Sequence, residues 1–276
     1  MAVEPLHIND SKSNADVRDR RLLTNPISGL EISQGHVPGF SNIHKFGNAP
    51  DFDTADGFVT LWDGAEDAHT WQLMQYVYST TADIDSISSN DAGDAVEITI
   101  EGLDSTYAMV TQTVTLSGQT RVALGTPLIR VYRAYNSDST SFDGHVFVYV
   151  NGAITAGVPD TNADIRAIIH DENQQTEMAL YTIPLGMTGY MRSWYATPAG
   201  GKFDSAHTVR LFTTVFGGVK RLQHKVNLSV AGTSYIQHVF EEPLVLTEKT
   251  DIEIDGDTDE TGVGLAGGFD IVLIEN

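Results

Sequence analysis

The sequence predicts an all-β protein of antiparallel β-sandwich or jelly-roll type. Helix-period patterns are nearly absent, while short runs rich in Thr, Val, Ile and Tyr recur throughout. Clusters of Asp, Asn, Ser and Gly separate them at spacings of roughly 8 to 12 residues, the turn rhythm of packed sheets or barrels. The 276 residues are 41% hydrophobic, enough for a sizeable core. Periodicity alone is compatible with one large sandwich or with two consecutive ones.

Taken in order, residues 1–50 differ from the rest. They are polar, are punctuated by Pro5, Pro26, Pro38 and Pro50, and hold no sustained period, so they cannot build a core alone. They read as a flexible tail or as an extended arm lying along a neighbouring subunit. The apolar Leu22, Leu23, Ile27, Leu30, Ile32 and Phe40 favour the arm, and Arg18, Arg20 and Arg21 give it a charge-dense patch with a basic component. These nine residues are the candidate partner-binding set.

Residues 51–176 form a first β-sandwich part, with strands expected at 58–62, 73–78, 96–100, 108–116, 119–123, 128–135 and 145–150. Residues 89–94 and 136–140 have turn composition, and Ser117-Gly118 reads as a hairpin turn. One short helix is expected near residues 163–170. A C-terminal β-rich part, residues 177–276, opens with strands at 178–183 and 188–194. Residues 208–230 then show the clearest two-residue period in the chain: Leu222, Val226, Leu228 and Val230 share one parity, and Arg221, Gln223, Lys225, Asn227 and Ser229 the other. Gly217-Gly218 supplies the turn of this hairpin. Strands at 235–246, 250–255 and 262–275 complete the set. The last is apolar on both parities over residues 269–274, which places it centrally in its sheet.

Composition narrows function. Sixteen basic against 37 acidic residues give a net charge of -21, which repels nucleic-acid phosphates and anionic membranes. Such acidity suits solubility in a salty medium, or a docking surface for a basic partner or divalent cations. With no cysteine there are no disulfides, thiolate metal sites or cysteine nucleophile. The first 21 residues lack an apolar signal-peptide core, so the expected product is made in the cytoplasm, and no window has the run of roughly 18 apolar residues of a membrane span.

Motifs that carry chemistry are missing. The acidic stretch 251–260 is the nearest approach to a metal loop: Asp251, Glu253, Asp255 and Asp257 are its candidate calcium ligands. Gly262 stands where a bidentate glutamate is needed, and Ile252 and Ile254 make the start of the stretch a strand with its acids facing solvent. The nine histidines show no paired metal spacing; His224 shares the buried parity of Leu222 and Val226, and His238 lies between Ile236 and Phe240, so each needs a hydrogen-bond partner. Nucleophile elbow and Walker loop are lacking, and the glycines of 262–268 do not open a helix. Trp62, Trp71, Tyr76, Tyr78, Tyr190, Trp194 and Tyr195 could line a sugar groove, although strand aromatics are more often core. Neither cofactor nor enzymatic activity is expected.

Several runs taken together resemble a β-rich structural protein of tailed, especially marine, bacteriophages. They are VEITIEGLDSTYAMVTQTVTLSGQTRVA at 96–123, LIRVYRA at 128–134, QTEMALYTIPLGMTGYMRSWYA at 175–196, FEEPLVLTEKTDIEI at 240–254 and GFDIVLIEN at 268–276. The order of these motifs carries the resemblance, which covers most of residues 57–276. It implies a non-enzymatic virion protein, made without a signal peptide, that trimerises and cements or decorates the capsid by binding the major capsid protein and itself. A tail-, neck- or fibre-associated module that binds host surface glycan is the alternative it leaves open.

Overall fold

Strand-forming runs with one apolar face can leave water only by stacking into layered sheets, and the computed structural model shows this arrangement. It describes residues 8–10, 13–18, 21–24, 29–52, 54, 56–65, 75–199, 205–229 and 235–276, the three strands before residue 25 by backbone alone. In chain order, β1 (Ile8–Asp10), β2 (Ser13–Arg18) and β3 (Arg21–Thr24) pair as an antiparallel meander. Next come α1 (Gly29–Ser33), β4 (Phe40–Phe52) and β5 (Val59–Thr60). Then follow β6 (Ile84–Ser89), β7 (Glu97–Leu103), β8 (Met109–Thr115), β9 (Val122–Leu128), β10 (Arg130–Asn136) and β11 (Val146–Val150). After the small hairpin β12 (Ile154–Thr155) and β13 (Val158–Pro159) come β14 (Ile165–Ile169), β15 (Leu180–Thr182) and β16 (Met187–Ala199). The chain ends with β17 (Ala206–Thr214), β18 (Arg221–Ser229), β19 (Ile236–Leu246), β20 (Asp251–Thr258) and β21 (Val263–Glu275).

The protein is all-β, and its sandwiches are nested rather than consecutive. Sheets β14-β11-β6-β9 and β10-β7-β8 make an inner unit from residues 84–169. Sheets β19-β16-β21-β4 and β15-β20-β17-β18 make the outer unit, with β5 also paired to β20. Because β4 and β5 belong to the outer unit, the inner sandwich is inserted between β5 and β15. One continuous apolar core runs through both, from Ala49 and Phe52 through Ile98, Phe147 and Trp194 to Leu273.

This corrects the boundary drawn at residue 50. Phe40–Phe52 is not a free arm but an edge strand, paired residue by residue with β21 from Phe40–Ile274 to Phe52–Val263. Lys45, Gly47 and Ala49 turn inward along it, and α1 packs beside it through hydrogen bonds from Asn42 Nδ2 to the Gly29 carbonyl and to Ser33 Oγ. Gly47 permits the closest approach: a Cβ there would stand 2.1 Å from the Leu61 carbonyl oxygen and 2.3 Å from the Ala179 nitrogen.

The helix expected near 163–170 is a 3-10 turn, Asn162–Asp164, followed by β14, every residue of which is buried. Its β-branched Ile165, Ile168 and Ile169 suit a strand, and pairing with β11 decides the outcome. Ser117-Gly118 is a crossover rather than a hairpin turn, since β8 pairs with β7 in one sheet while β9 pairs with β6 in another. Gly118 has a φ of 54°, and a Cβ would sit 2.4 Å from the Ala92 carbonyl oxygen. Of the run 58–62 only Val59–Thr60 is strand, and residues 75–78 of the next run have no regular pairing. The hairpin of β17 and β18 forms in antiparallel register from Ala206–Ser229 to Thr213–Arg221, with Gly217 at a φ of 70° in its turn. β21 is central, between β16 and β4.

Candidate assembly surface

The acidic strand β20 is the first place where pattern and structure part. Ile252 and Ile254 are buried as expected, yet Glu253 and Asp255 on the opposite face are only 5% and 2% exposed. Their face is covered by cations from distant segments. Arg130 of β10 donates from Nε to Asp251 Oδ1 at 2.9 Å and from its second terminal nitrogen to Oδ2 at 3.0 Å. Arg210 of β17 makes the same bidentate fork to Asp255, at 2.8 Å on each arm. Lys220 Nζ stands 2.9 Å from Glu253 Oε2 and 3.6 Å from Asp255 Oδ2, while Thr60 Oγ1 and Gln75 Nε2 donate to Glu253 Oε1. Three of the four candidate calcium ligands thus answer to protein cations, and Asp257 is half-buried beyond them. Among the described residues no group of three or more His, Asp or Glu could hold a metal ion.

The same cations brace the β17–β18 hairpin. Arg210 lies over the rings of Phe58 and Phe212, and Lys220 over Phe212 at 4.5 Å. At the tip the Phe216 ring meets Tyr107 of the inner sandwich edge-on at 5.7 Å, and Lys249 Nζ lies 5.0 Å from Phe216 and 5.2 Å from Tyr107. Held this way, the tip presents Val215, Phe216, Val219 and Leu222 to solvent, Phe216 and Val219 at 64% and 69% exposure. Leu185, whose backbone nitrogen donates to the Tyr107 carbonyl, is exposed beside them. A fixed apolar knob on a chain of charge -21 is the shape of a contact surface.

Beside the hairpin the outer sandwich is open. β18 and β19 are edge strands of its two sheets, and they approach each other where His224 and His238 face at 4.4 Å between ring centres. The hydrogen-bond need expected for His224 is met by Trp194, whose indole nitrogen donates to Nδ1 at 2.9 Å. Burial, aided by His238, holds the His224 imidazole below its usual range. His207 is enclosed between Ser205 and Thr258 hydroxyls. None of these histidines is arranged for general base work. Among the described residues the closest approach to a catalytic grouping is Ser193, Asp270 and His44, but Asp270 takes both partners, Ser193 Oγ at 2.7 Å and His44 Nδ1 at 2.7 Å, so the imidazole is not placed on the hydroxyl.

The nine arm candidates scatter. Ile32 is buried under α1, Leu30 is 66% exposed, and Phe40 is half-buried at the start of β4. Arg18, Arg21, Leu22 and Leu23 fall on β2 and β3, whose side chains are not described; Arg20 and Ile27 lie outside the described residues. Of the aromatic candidates, Trp62, Tyr76 and Trp194 are core, Tyr78, Tyr190 and Tyr195 are half-buried, and Trp71 lies outside the described residues. The exposed Phe216 and Tyr235 were not singled out from sequence, because a turn aromatic and one at the first residue of an expected strand carry no period of their own.

A seam between the sandwiches holds two buried ionisable groups. Lys45 of β4 donates to the Tyr132 carbonyl of β10; burial, with Arg133 beside it, lowers its pKa to about 7. Burial pushes the Asp63 carboxyl well above the usual range, opposed in part by the Glu177 backbone N–H it accepts. Between pH about 7 and the ordinary lysine value of 10.5 the unfolded chain binds more protons at this lysine than the folded one. Its contribution therefore strengthens folding as pH rises through that window. Lys45→Met should flatten the stability–pH curve there by up to about one proton, read from urea unfolding at stepped pH values.

No known protein-family model matches this chain, and no curated protein matches it. Solved structures give loose likenesses. The structure of infectious bursal disease virus Gt strain is 12% identical, covering 86% of this chain and 72% of that one at a TM-score of 0.23. The crystal structure of the infectious bursal disease virus VP2 subviral particle is 10% identical over 86% and 72%, at 0.22. The Gx strain structure is 11% identical over 86% and 71%, at 0.25. Scores this low carry no argument about the role of the present chain. Among the described residues no helix is long and apolar enough to cross a membrane.

Proposed function

We propose that this protein is a non-enzymatic structural component of a tailed-phage virion, a capsid cement or decoration protein that acts by self-association and by docking on the major capsid protein. The observation that carries the reading is the braced apolar tip at Val215, Phe216, Val219 and Leu222, exposed next to two open edge strands. Assembly needs rigid complementary surfaces of this kind, with aromatic anchors, rather than convergent titratable groups. The sequence resemblance to phage structural proteins points the same way, and a trimer is the oligomer it implies. Residues before Gly29, among them Arg18, Arg20, Arg21, Leu22, Leu23 and Ile27, serve in this reading as the segment that lies along a neighbour; four of the chain's 16 basic residues fall there, against an acidic remainder.

The test is a count and a rebinding assay. Quantitative mass spectrometry of purified particles should give hundreds of copies, and particles lacking the protein should bind the purified chain but not Phe216→Asp/Val219→Asp. Copy numbers of a few dozen or fewer would transfer the protein to the tail, neck or fibre. Both substituted positions are exposed, and losing the Phe216 contacts with Tyr107 and Lys249 should cost about 1–2 kcal/mol, which leaves the chain folded and is read from its unfolding midpoint.

A further inference from the structure

The outer face of sheet β19-β16-β21-β4 carries a row of aromatic rings. Tyr195 on β16 lies down across its neighbour β21: a Cβ at Gly268 would meet its Oη at 2.6 Å and its Cζ at 2.7 Å. A tyrosine lying flat on a glycine turns its other face to solvent. His44 on β4 has its ring within 14° of the Tyr195 plane at 6.3 Å between centres, and Tyr235, just before β19, within 31° at 6.5 Å. His44 and Tyr235 are exposed, and Phe46 flanks His44 at 6.0 Å. Three rings therefore cross the sheet in a row, His44 nearly parallel to Tyr195 and Tyr235 tilted by 31° to it.

Polar groups stand along the same line. Asp270 holds His44 Nδ1 at 2.7 Å, which fixes the imidazole in the row, and its carboxylate is 42% exposed. Gln237 is exposed directly opposite Tyr195 in the β16–β19 register. Flat aromatic faces beside an amide and a carboxylate match a sugar ring, which offers apolar C–H faces for stacking and hydroxyls for hydrogen bonds around its rim. Nucleic-acid bases also stack on such ledges, but phosphate would meet a chain of charge -21 with Asp270 in the site. The same charge disfavours uronates and sulfated or sialylated glycans.

We infer that His44, Tyr195 and Tyr235, with Asp270 and Gln237, form a binding ledge for a neutral pyranose oligosaccharide. The ledge is separate from the hairpin tip and does not depend on the assembly reading. Native gel electrophoresis through embedded hydroxyethylcellulose, galactomannan, dextran or soluble starch tests it with the full chain. Retardation by at least one of the four is expected, weakened at least about tenfold by Tyr235→Ala and by Tyr195→Ala and unchanged by Phe216→Asp. Tyr235 is exposed, so loss of binding there with an unchanged unfolding midpoint separates recognition from folding. Migration unaffected by all four polysaccharides, or retardation that survives both tyrosine changes, would overturn the inference. Loss of retardation in Phe216→Asp as well would place the sugar at the tip and overturn it too.

Discussion

Replacing Arg130 by methionine should destabilise the protein by about 3–5 kcal/mol, the range found when one partner is removed from a buried ion pair. Arg130 is on β10 of the inner sandwich and Asp251 on β20 of the outer one, and their fork at 2.9 and 3.0 Å joins the two units. Arg130 is 7% exposed, donates also to the Ser79 and Ile129 carbonyls, and lies 5.0 Å from the Tyr78 ring. Its removal leaves a mostly buried carboxylate facing carbonyl oxygens. Adding Asp251→Asn removes that charge and leaves a side-chain oxygen for the Thr182 hydroxyl, so the double variant should recover much of the loss. Urea unfolding of the two single variants and the double one gives the coupling. A loss below about 1 kcal/mol in Arg130→Met would mean that the fork is solvated and that the seam lies elsewhere.

Gly47→Ala should cost about 3 kcal/mol or more, the upper end of overpacking effects. The added methyl would meet main-chain atoms, the Leu61 oxygen at 2.1 Å and the Ala179 nitrogen at 2.3 Å, which cannot rotate away as a side chain would. Those atoms hydrogen-bond to each other, Ala179 N to Leu61 O at 2.9 Å, so relief of the clash breaks that backbone bond as well. The measurement also checks the correction to the N-terminal segment. Were residues 40–50 an arm that orders only on a neighbour, Gly47→Ala would leave the unfolding midpoint of the isolated chain unchanged.

Much of the sandwich was legible because strands with one wet face write their burial into alternate residues. Val226 and Leu228 are buried as the hairpin pattern requires, while Leu222, of the same parity, is exposed because the register slips between Leu211 and Phe212. β6 was invisible: Ile84–Ser89 reads as polar, yet Ser86, Ser88 and Ser89 are buried. Ser88 donates to the Gly157 carbonyl and shares a hydrogen bond with Tyr149 Oη, partners more than 60 residues away, while Ser89 donates to Asp94 in the following turn. β4 was missed because Asn42, His44, Lys45 and Gly47 break the apolar count, although alternate positions do turn inward. On β20 the two-residue period was read correctly and the environment of its acidic face was not. The cations that cover that face lie between 33 and 121 residues from the acids they pair with, as Lys220 with Glu253 and Arg130 with Asp251 show. The aromatic ledge escaped for the same reason, since it is assembled across four strands by register.

Sedimentation velocity of the purified full chain over a rising concentration series, beside Phe216→Asp/Val219→Asp, bears most directly on the claim that the protein works by assembly through its apolar tip. The account predicts that the wild-type coefficient climbs from that of a 30.0 kDa monomer toward a discrete oligomer while the variant remains monomeric. A wild-type chain that stays monomeric up to its solubility limit, or a variant that associates equally well, would contradict it.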